Sequence, residues 1–214
     1  GHTALAFAPH VAHVVASDIT SEMLSETAKL AASRGLANVS TATAHAHELP
    51  FESDSFDLVT CRLAAHHFPE IGRFIEKAHR TLRPGGILAI VDNVPPDQQS
   101  MPELAIGDVP ATADAYNTFE KLRDPSHARA LGLDEWTGLM CASGFEVVGC
   151  ELLEKEMAFG PWVERMRCAP ETVDQLQRTL QQPSPLSTFL KPRQADGDLH
   201  LTLREAILIG RKQP

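Results

Sequence analysis

Two stretches of the sequence carry side chains that could do chemistry. An apolar run at residues 14–17 ends in the carboxylate of Asp18, and the imidazoles of His66 and His67 follow another apolar run. A carboxylate at the carboxyl edge of the second strand of an α/β sheet is placed to accept hydrogen bonds from both hydroxyls of an adenosine ribose. An imidazole beside a bound substrate can take up a proton near neutral pH. We therefore predict that Asp18 contacts a nucleoside cofactor and that His66 or His67 contacts cofactor or substrate.

Each of these residues also has a purely structural interpretation. Asp18 could cap the helix that starts after Thr20, and a histidine at a helix start could simply bind backbone groups. His45 and His47, taken with the two later histidines, could form a metal cluster. No carboxylate or thiolate pattern completes such a cluster, and zinc ligands are usually spaced more tightly. We therefore predict no metal site.

The elements that would position these side chains alternate between strand and helix over residues 1–92. The predicted strands are 12–18, 39–44, 56–61 and 87–92. One predicted helix begins after Thr20, and a second covers 71–82. Pro84-Gly85-Gly86 is expected to stop the second helix before its strand. This alternation is typical of βαβ units around a parallel sheet, so we predict an α/β fold.

The second half of the chain departs from this alternation. After Pro95-Pro96, polar helical spacing over 101–123 predicts an insertion at 95–127 over one edge of the sheet. The later predicted elements are a helix capped by Asp134 and ended by Gly144, a strand at 145–153, a helical segment at 161–192 and extended runs at 199–203 and 206–210. No long helix follows the last strand, which favours an antiparallel edge pair. We expect a single domain, 1–214, made of parts 1–94, 95–127 and 128–214.

Charge and composition exclude several classes of partner. With 28 acidic against 19 basic residues and a net charge of −9, the chain is not expected to bind nucleic acid or anionic membrane surfaces. No apolar run approaches the roughly 20 residues of a membrane-spanning helix, and the first residues lack the pattern of a signal peptide. We predict a cytoplasmic protein. The four widely spaced cysteines, Cys61, Cys141, Cys150 and Cys168, are expected to be reduced.

Five segments together resemble the class I S-adenosylmethionine-dependent methyltransferases, and within them the ubiquinone and menaquinone biosynthesis group. The matching segments are 15–24 (VASDITSEML), 48–51 (ELPF), 55–59 (SFDLV), 65–69 (AHHFP) and 82–86 (LRPGG). The resemblance covers most of residues 1–92 and implies a Rossmann-like methyltransferase sheet that ends in an antiparallel edge pair. It implies methyl transfer from S-adenosylmethionine to a small organic acceptor.

The resemblance also implies where the cofactor would bind. It assigns cofactor contacts to Gly1, Asp18, Ile19, Met23, His45, Ala46, Cys61 and Arg62. Gly1 matches the last glycine of the glycine-rich loop, so the first strand of the family sheet is expected to be missing from this chain and its two neighbours to be unpaired. His45 stands where the family usually has an aspartate that accepts from the adenine amino group, which a neutral imidazole nitrogen could also do.

Two other functions fit the same elements, and the acceptor atom is left open. The chain could be a catalytically silent nucleoside-binding or regulatory domain, or an NAD-dependent oxidoreductase, since an acid after the second strand also suits NAD. Six basic residues of the second half could bind an acidic substrate, although most are expected to lie on the surface: Arg123, His127, Arg129, Arg165, Arg167 and Arg193. Four large side chains are expected in the core or in a pocket wall: Met157, Phe159, Trp162 and Met166. No feature predicts the oligomeric state.

Overall fold

A computed structural model describes residues 1–98, 101–102 and 104–213 of the chain. Its strands are β1 Val14–Asp18, β2 Val39–Thr43, β3 Phe56–Arg62, β4 Leu82–Asn93, β5 Phe145–Ala158, β6 Arg193–Ala195 and β7 Asp198–Lys212. Its helices are α1 His2–Phe7, α2 Ser21–Ser33, α3 Ile71–Thr81, α4 Val109–Arg123, α5 Leu133–Ala142, α6 Phe159–Glu164, α7 Pro170–Gln181 and α8 Pro185–Leu190. Short 3-10 turns cover Ala8–His10 and Ala65–His67. None of the described helices is both long and apolar enough to cross a bilayer.

The strands form a mixed α/β architecture, which confirms the predicted fold class. β1 and β2 pair in parallel as a two-stranded sheet, and the second sheet has the order β3-β4-β7-β5, with β6 added to β7. β3 and β4 are parallel, whereas β7 runs antiparallel to both β4 and β5. In the described part of the chain β1 and β3 each pair with one strand only. No ladder of hydrogen bonds therefore joins the two sheets in the described residues.

Several predicted boundaries are wrong. The extended runs at 199–203 and 206–210 form the single strand β7, and β5 continues past Leu153 to Ala158. β4 begins at Leu82 and passes through the Pro84-Gly85-Gly86 turn, where Gly85 has a φ of +77°. The predicted helical stretch 101–123 is helical only from Val109 onward. Gln99, Ser100 and Glu103, which fall within the predicted insertion, lie outside the described residues, as does the last residue, Pro214.

Two hydrophobic cores support these elements. The first packs α3 and α5 against β3, β4 and one half of β7, around side chains such as Ile75, Trp136 and Leu208. The second packs α4, α6, α7 and α8 against the other half of β7, around Phe119 and Phe189. The amphipathic spacing of α3 explains its position, since its buried residues recur every three or four positions.

Candidate functional site

Two side chains at the carboxyl ends of β3 and β4 form a buried pair. His66 lies in the 3-10 turn after β3, and Asp92 is the second-last residue of β4. Nδ1 of His66 lies 2.5 Å from Oδ1 of Asp92, and the backbone N–H of His66 donates to Oδ2 at 3.0 Å. The backbone N–H of Asn93 also donates to Oδ1, at 2.8 Å. Parallel pairing brings His66 and Asp92 together, because Arg62 and Val91 are register partners.

The contact with Asp92 determines which nitrogen of His66 is available for chemistry. A carboxylate only accepts hydrogen bonds, so we assign the hydrogen to Nδ1, which leaves the lone pair of the neutral ring on Nε2. Within the described residues, Nε2 makes no hydrogen bond. Burial alone would lower the pKa of His66, but the hydrogen bond and charge of Asp92, with the charges of Glu120 and Asp124, outweigh it and raise the pKa. Nε2 is therefore a stronger base than an ordinary imidazole nitrogen.

His127 lies against the His66 ring and is neutral. The ring centroids are 5.4 Å apart and the planes are inclined by 30°. Nε2 of His127 lies 2.8 Å from Oδ1 of Asn117, which also accepts from the backbone N–H of Ala130 at 2.7 Å. Burial, reinforced by positive charge on His66 and His67, lowers the pKa of His127 to about 4. The side chain therefore cannot be the cation that was considered for an acidic substrate.

His67 is bound to the segment 124–129. Its Nδ1 lies 3.2 Å from the carbonyl oxygen of Ser126 and 3.1 Å from Oγ of the same residue. Ser126 donates to Oδ1 of Asp124 from Oγ at 2.5 Å and from its backbone N–H at 2.9 Å. Burial would raise the pKa of Asp124, but these hydrogen bonds and the neighbouring positive charge lower it. The backbone N–H of Ala128 donates to the carbonyl oxygen of His66 at 2.8 Å, so the segment holds the whole histidine turn.

Helix α4 brings two more buried polar side chains close to this pair. Tyr116 and Glu120 stand one helical turn apart, and both are almost completely buried. Among the described residues, the Tyr116 hydroxyl and Oε1 of Glu120 have no hydrogen-bond partner, whereas Oε2 of Glu120 accepts from Arg123 at 3.1 Å. Burial raises the pKa of Tyr116 and of Glu120, although Arg123 opposes the rise for Glu120. A buried polar group without a partner is costly, so these two atoms are candidates for contact with a ligand.

A second group of predicted residues lies at the carboxyl end of β1. Asp18 ends this strand, and its Oδ1 accepts from the backbone N–H of Thr20 at 2.8 Å. Across the described residues, the other oxygen, Oδ2, makes no hydrogen bond. Ile19 and Met23 follow directly and are 66% and 49% exposed. A carboxylate oxygen without a partner therefore stands beside two exposed apolar side chains.

His45 and Ala46 follow β2, next to the Asp18 group. Asp18 is the register partner of Thr43, the last residue of β2. Nδ1 of His45 accepts from the backbone N–H of His47 at 3.2 Å, which assigns the hydrogen of the neutral ring to Nε2. Nε2 of His45 is then a donor. This geometry favours donation to a ligand over the predicted acceptance from an adenine amino group.

Gly1, Cys61 and Arg62 are the remaining residues assigned to the cofactor. Gly1 caps α1, and a Cβ at this position would lie 2.3 Å from Oγ1 of Thr27, so packing against α2 alone requires glycine. Cys61 is a buried free thiol, and burial, with the negative charge of Asp92, raises its pKa to about 12. Arg62 is exposed at the end of β3. Cys61 can therefore contact the cofactor through its backbone, and not through its thiol.

Most of the other candidate basic residues are paired with acids. Arg123 binds Glu120, Arg129 binds Glu135, and Arg193 binds Glu156. Arg165 and Arg167 are exposed. Phe159 and Trp162 are buried in the second core, with Met157 packed against it, whereas Met166 is half-buried.

The sequence predictions missed Asp92, Tyr116 and Glu120. For Asp92 a signal was present, since it ends a predicted strand adjacent to the one that precedes His66, and parallel strands bring their carboxyl ends to one edge. For Tyr116 and Glu120 no local signal distinguishes them from other residues of an amphipathic helix.

Comparisons with known proteins agree with this architecture. The model of a methyltransferase domain family matches residues 1–90. The chain is 33% identical over 165 residues to the uncharacterized methyltransferase YcgJ of Bacillus subtilis, covering 77% of this chain and 61% of YcgJ, and so spans less than two thirds of that relative. It is 41% identical over 76 residues to the ubiquinone/menaquinone biosynthesis C-methyltransferase UbiE of Brucella anthropi, covering 35% of this chain and 29% of UbiE. The crystal structure of BH2331 from Bacillus halodurans C-125 superposes with a TM-score of 0.89 at 32% identity, covering 100% of this chain and 89% of BH2331.

Proposed function

Because the chain belongs to the class I S-adenosylmethionine-dependent methyltransferase family, we propose that it transfers a methyl group from S-adenosylmethionine to a small organic acceptor. The family relationship supports methyl transfer in general. The donor, the acceptor class and the roles of individual residues are the parts that we propose.

The observation that carries the proposal is the environment of Asp18. Its carboxylate lies at the carboxyl edge of a parallel strand, the position at which α/β sheets bind ligands. One carboxylate oxygen is occupied by Thr20, and the other has no partner in the described part of the chain. That oxygen can accept from a ribose hydroxyl, while Ile19 and Met23 offer apolar surface to an adenine ring. The residues present therefore fit an adenosyl group.

The other predicted cofactor residues extend this site along the sheet edge. Backbone groups of Gly1, Cys61 and Arg62 would hold the methionine part, with Cys61 contributing its carbonyl and not its thiol. Ala46 would donate its backbone N–H to the adenine ring, and His45 would donate from Nε2. S-adenosylmethionine supplies, when bound, an activated methyl group on a sulfonium sulfur.

The remaining requirement is to align the acceptor and to keep water out. Methyl transfer to a well-aligned nucleophile needs positioning and desolvation more than a strong acid. His66 and His67 follow β3 at the ligand-binding edge, and we propose that they contact the acceptor. His66 can also accept a proton through Nε2.

Calorimetric titration with S-adenosylhomocysteine tests the cofactor assignment. Asp18→Ala in the full-length protein should weaken binding roughly 10- to 100-fold, because one or two charge-assisted hydrogen bonds to the ribose are lost. Asp57→Asn is the matched control, since Asp57 lies near the opposite end of the parallel strands in an exposed pair with Arg83, and it should bind normally. Equal affinity of the Asp18→Ala and wild-type proteins, or no heat from folded wild-type protein at millimolar ligand, would refute the assignment.

Incubation with methyl-labelled S-adenosylmethionine and a pool of cell metabolites separates an enzyme from a silent binding domain. A labelled product that depends on the protein supports the enzyme. Normal S-adenosylhomocysteine binding without any labelled product would favour the nucleoside-binding domain.

A further inference from the structure

We propose that His66 is the general base of this site and Asp92 its positioning residue, so that the acceptor is a compound that loses a proton on methylation, from a hydroxyl or an acidic carbon. This inference rests on the methyl transfer proposed above. It narrows the acceptor class, which the fold leaves open.

The geometry of Asp92 is that of a group that orients an imidazole. Its carboxylate is 1% exposed and receives three hydrogen bonds, from Nδ1 and the backbone N–H of His66 and from the backbone N–H of Asn93. The ring and the backbone of His66 are thus fixed by the same carboxylate. A ring held through Nδ1 presents the lone pair of Nε2 in one direction, as a general base requires.

The exposure of His66 is suited to this role. Its side chain is only 10% exposed, yet Nε2 is unbonded within the described residues. Nε2 retains some accessible surface, so an acceptor can reach the nitrogen that the contact with Asp92 leaves unbonded.

The charges around His66 make its free nitrogen more basic. Acidic groups face it from two directions: Asp92 on β4, and Glu120 and Asp124 on or just after α4. His67 and His127 are the facing bases, and the low pKa of His127 keeps that ring uncharged at neutral pH. The net effect is a raised pKa for His66. A base with a pKa close to the working pH is the most effective one.

The proposed step balances as follows. The acceptor oxygen or carbon forms a bond to the methyl carbon as the methyl–sulfur bond breaks, and the sulfonium sulfur keeps that electron pair as a neutral thioether. The acceptor gives its proton to Nε2 of His66, and its X–H electron pair stays on the acceptor. Asp92 stabilises the imidazolium that results. A thioether or a tertiary amine has no proton to lose, so such acceptors would gain nothing from the base.

Nitrogen-15 NMR of the histidine rings tests the pair without any acceptor. The wild-type spectrum should show the hydrogen of His66 on Nδ1 and a pKa above 6.5, the ordinary value. Asp92→Asn should lower that pKa by roughly one unit or more, whereas the exposed control Asp57→Asn should not change it. A hydrogen on Nε2 in the wild-type protein, or an unchanged pKa in Asp92→Asn, overturns the proposal. If Asp92→Asn does not fold, the wild-type tautomer and pKa decide alone.

Kinetics with chosen probe acceptors test the base directly. Phenol, hydroquinone and acetylacetone carry a removable proton, and tetrahydrothiophene and N-methylpyrrolidine do not. For a methylated protic probe, kcat should fall roughly 100- to 10,000-fold in His66→Gln, while binding of S-adenosylhomocysteine stays normal. The wild-type kcat/KM should rise with pH to a plateau, and its midpoint should move down in Asp92→Asn. If no probe is methylated, the NMR result decides.

The outcomes separate this inference from the proposed function. Failure of S-adenosylhomocysteine to bind refutes S-adenosylmethionine as the donor and therefore the proposed function. Normal binding, with equal turnover by wild type and His66→Gln, or with preferred methylation of the aprotic probes, refutes only the base and leaves methyl transfer in place.

Discussion

The buried imidazole of His127 predicts a specific loss of stability in acid. Its pKa is about 4 in the folded protein, against an ordinary value of 6.5. Because the unfolded state binds the proton more readily, the contribution of His127 to stability is complete above pH 6.5 and is lost as the pH falls toward 4. At about pH 5 this linkage favours the unfolded state by about 2 kcal/mol relative to neutral pH.

Urea unfolding followed by tryptophan fluorescence, at about pH 7.5 and about pH 5, measures this loss. In His127→Gln the amide N–H can still donate to Asn117, but nothing titrates. The wild-type protein should therefore lose about 2 kcal/mol more than this variant on acidification. His13→Gln, at an exposed site where the ring contacts Oγ of Ser40 at 2.9 Å, is the matched control and should lose as much as the wild type. His66, whose pKa is raised, titrates with the opposite sign in all three proteins and largely cancels from the differences.

Equal losses in wild type and His127→Gln, within about 0.5 kcal/mol, would refute the reasoning. The His127 ring would then bind a proton about as readily in the folded state as in the unfolded state. In that case a charged ring would lie against His66, and the account of the basicity of His66 given above would have to be revised.

Two further predictions concern buried groups near the site. In native protein at about pH 8, iodoacetamide should modify the exposed Cys141 and leave Cys61 unmodified until urea is added. A thiol with a pKa of about 12 has almost no thiolate at that pH. Peptide mass spectrometry detects the modified cysteines, and rapid labelling of Cys61 in the native protein would contradict the prediction. Glu120→Gln should lower the free energy of unfolding by about 1–3 kcal/mol, because it removes the charged partner of the largely buried Arg123. The control Glu135→Gln, in an exposed ion pair with Arg129, should cost less than about 1 kcal/mol. Similar urea midpoints for the two variants would contradict this prediction.

The order of strands and helices could be predicted because periodicity is a local property. The four strands of the first half and the helix after Thr20 follow directly from apolar runs and their punctuation. β7 shows where local patterns fail, since the charged pair Arg204-Glu205 separates the two apolar runs from which extended structure was predicted. In the folded protein, both charged side chains contact residues that are distant in sequence. Lys155 binds Glu205 at 2.8 Å, and the Arg204 guanidinium lies 4.8 Å from the Phe189 ring centroid. Lys155 and Phe189 are too far from Arg204 in the sequence for a local pattern to include them.

The candidate site divides in the same way. Asp18, His66 and His67 could be singled out because each follows an apolar strand, and their position alone suggests ligand contact. The pairing of His66 with Asp92 spans 26 residues and depends on parallel register, so it needs the sheet to be known first. The low pKa of His127 depends on burial and on the neighbouring His66 and His67, which are distant in the sequence. The sequence alone shows His127 near arginines, and this suggests that it is a cation.

The location of the polar groups bears on the proposed acceptor site. Tyr116 belongs to the second core, whereas His66, Asp92 and Glu120 belong to neither core. Each polar group buried without a partner costs about 1–3 kcal/mol, and a stable fold would be expected to remove such groups by substitution or by bonding them. The Tyr116 hydroxyl and Oε1 of Glu120, one turn apart on α4, are two such groups in the described part of the chain. Under the proposed function, a bound acceptor with its own polar groups would recover that cost.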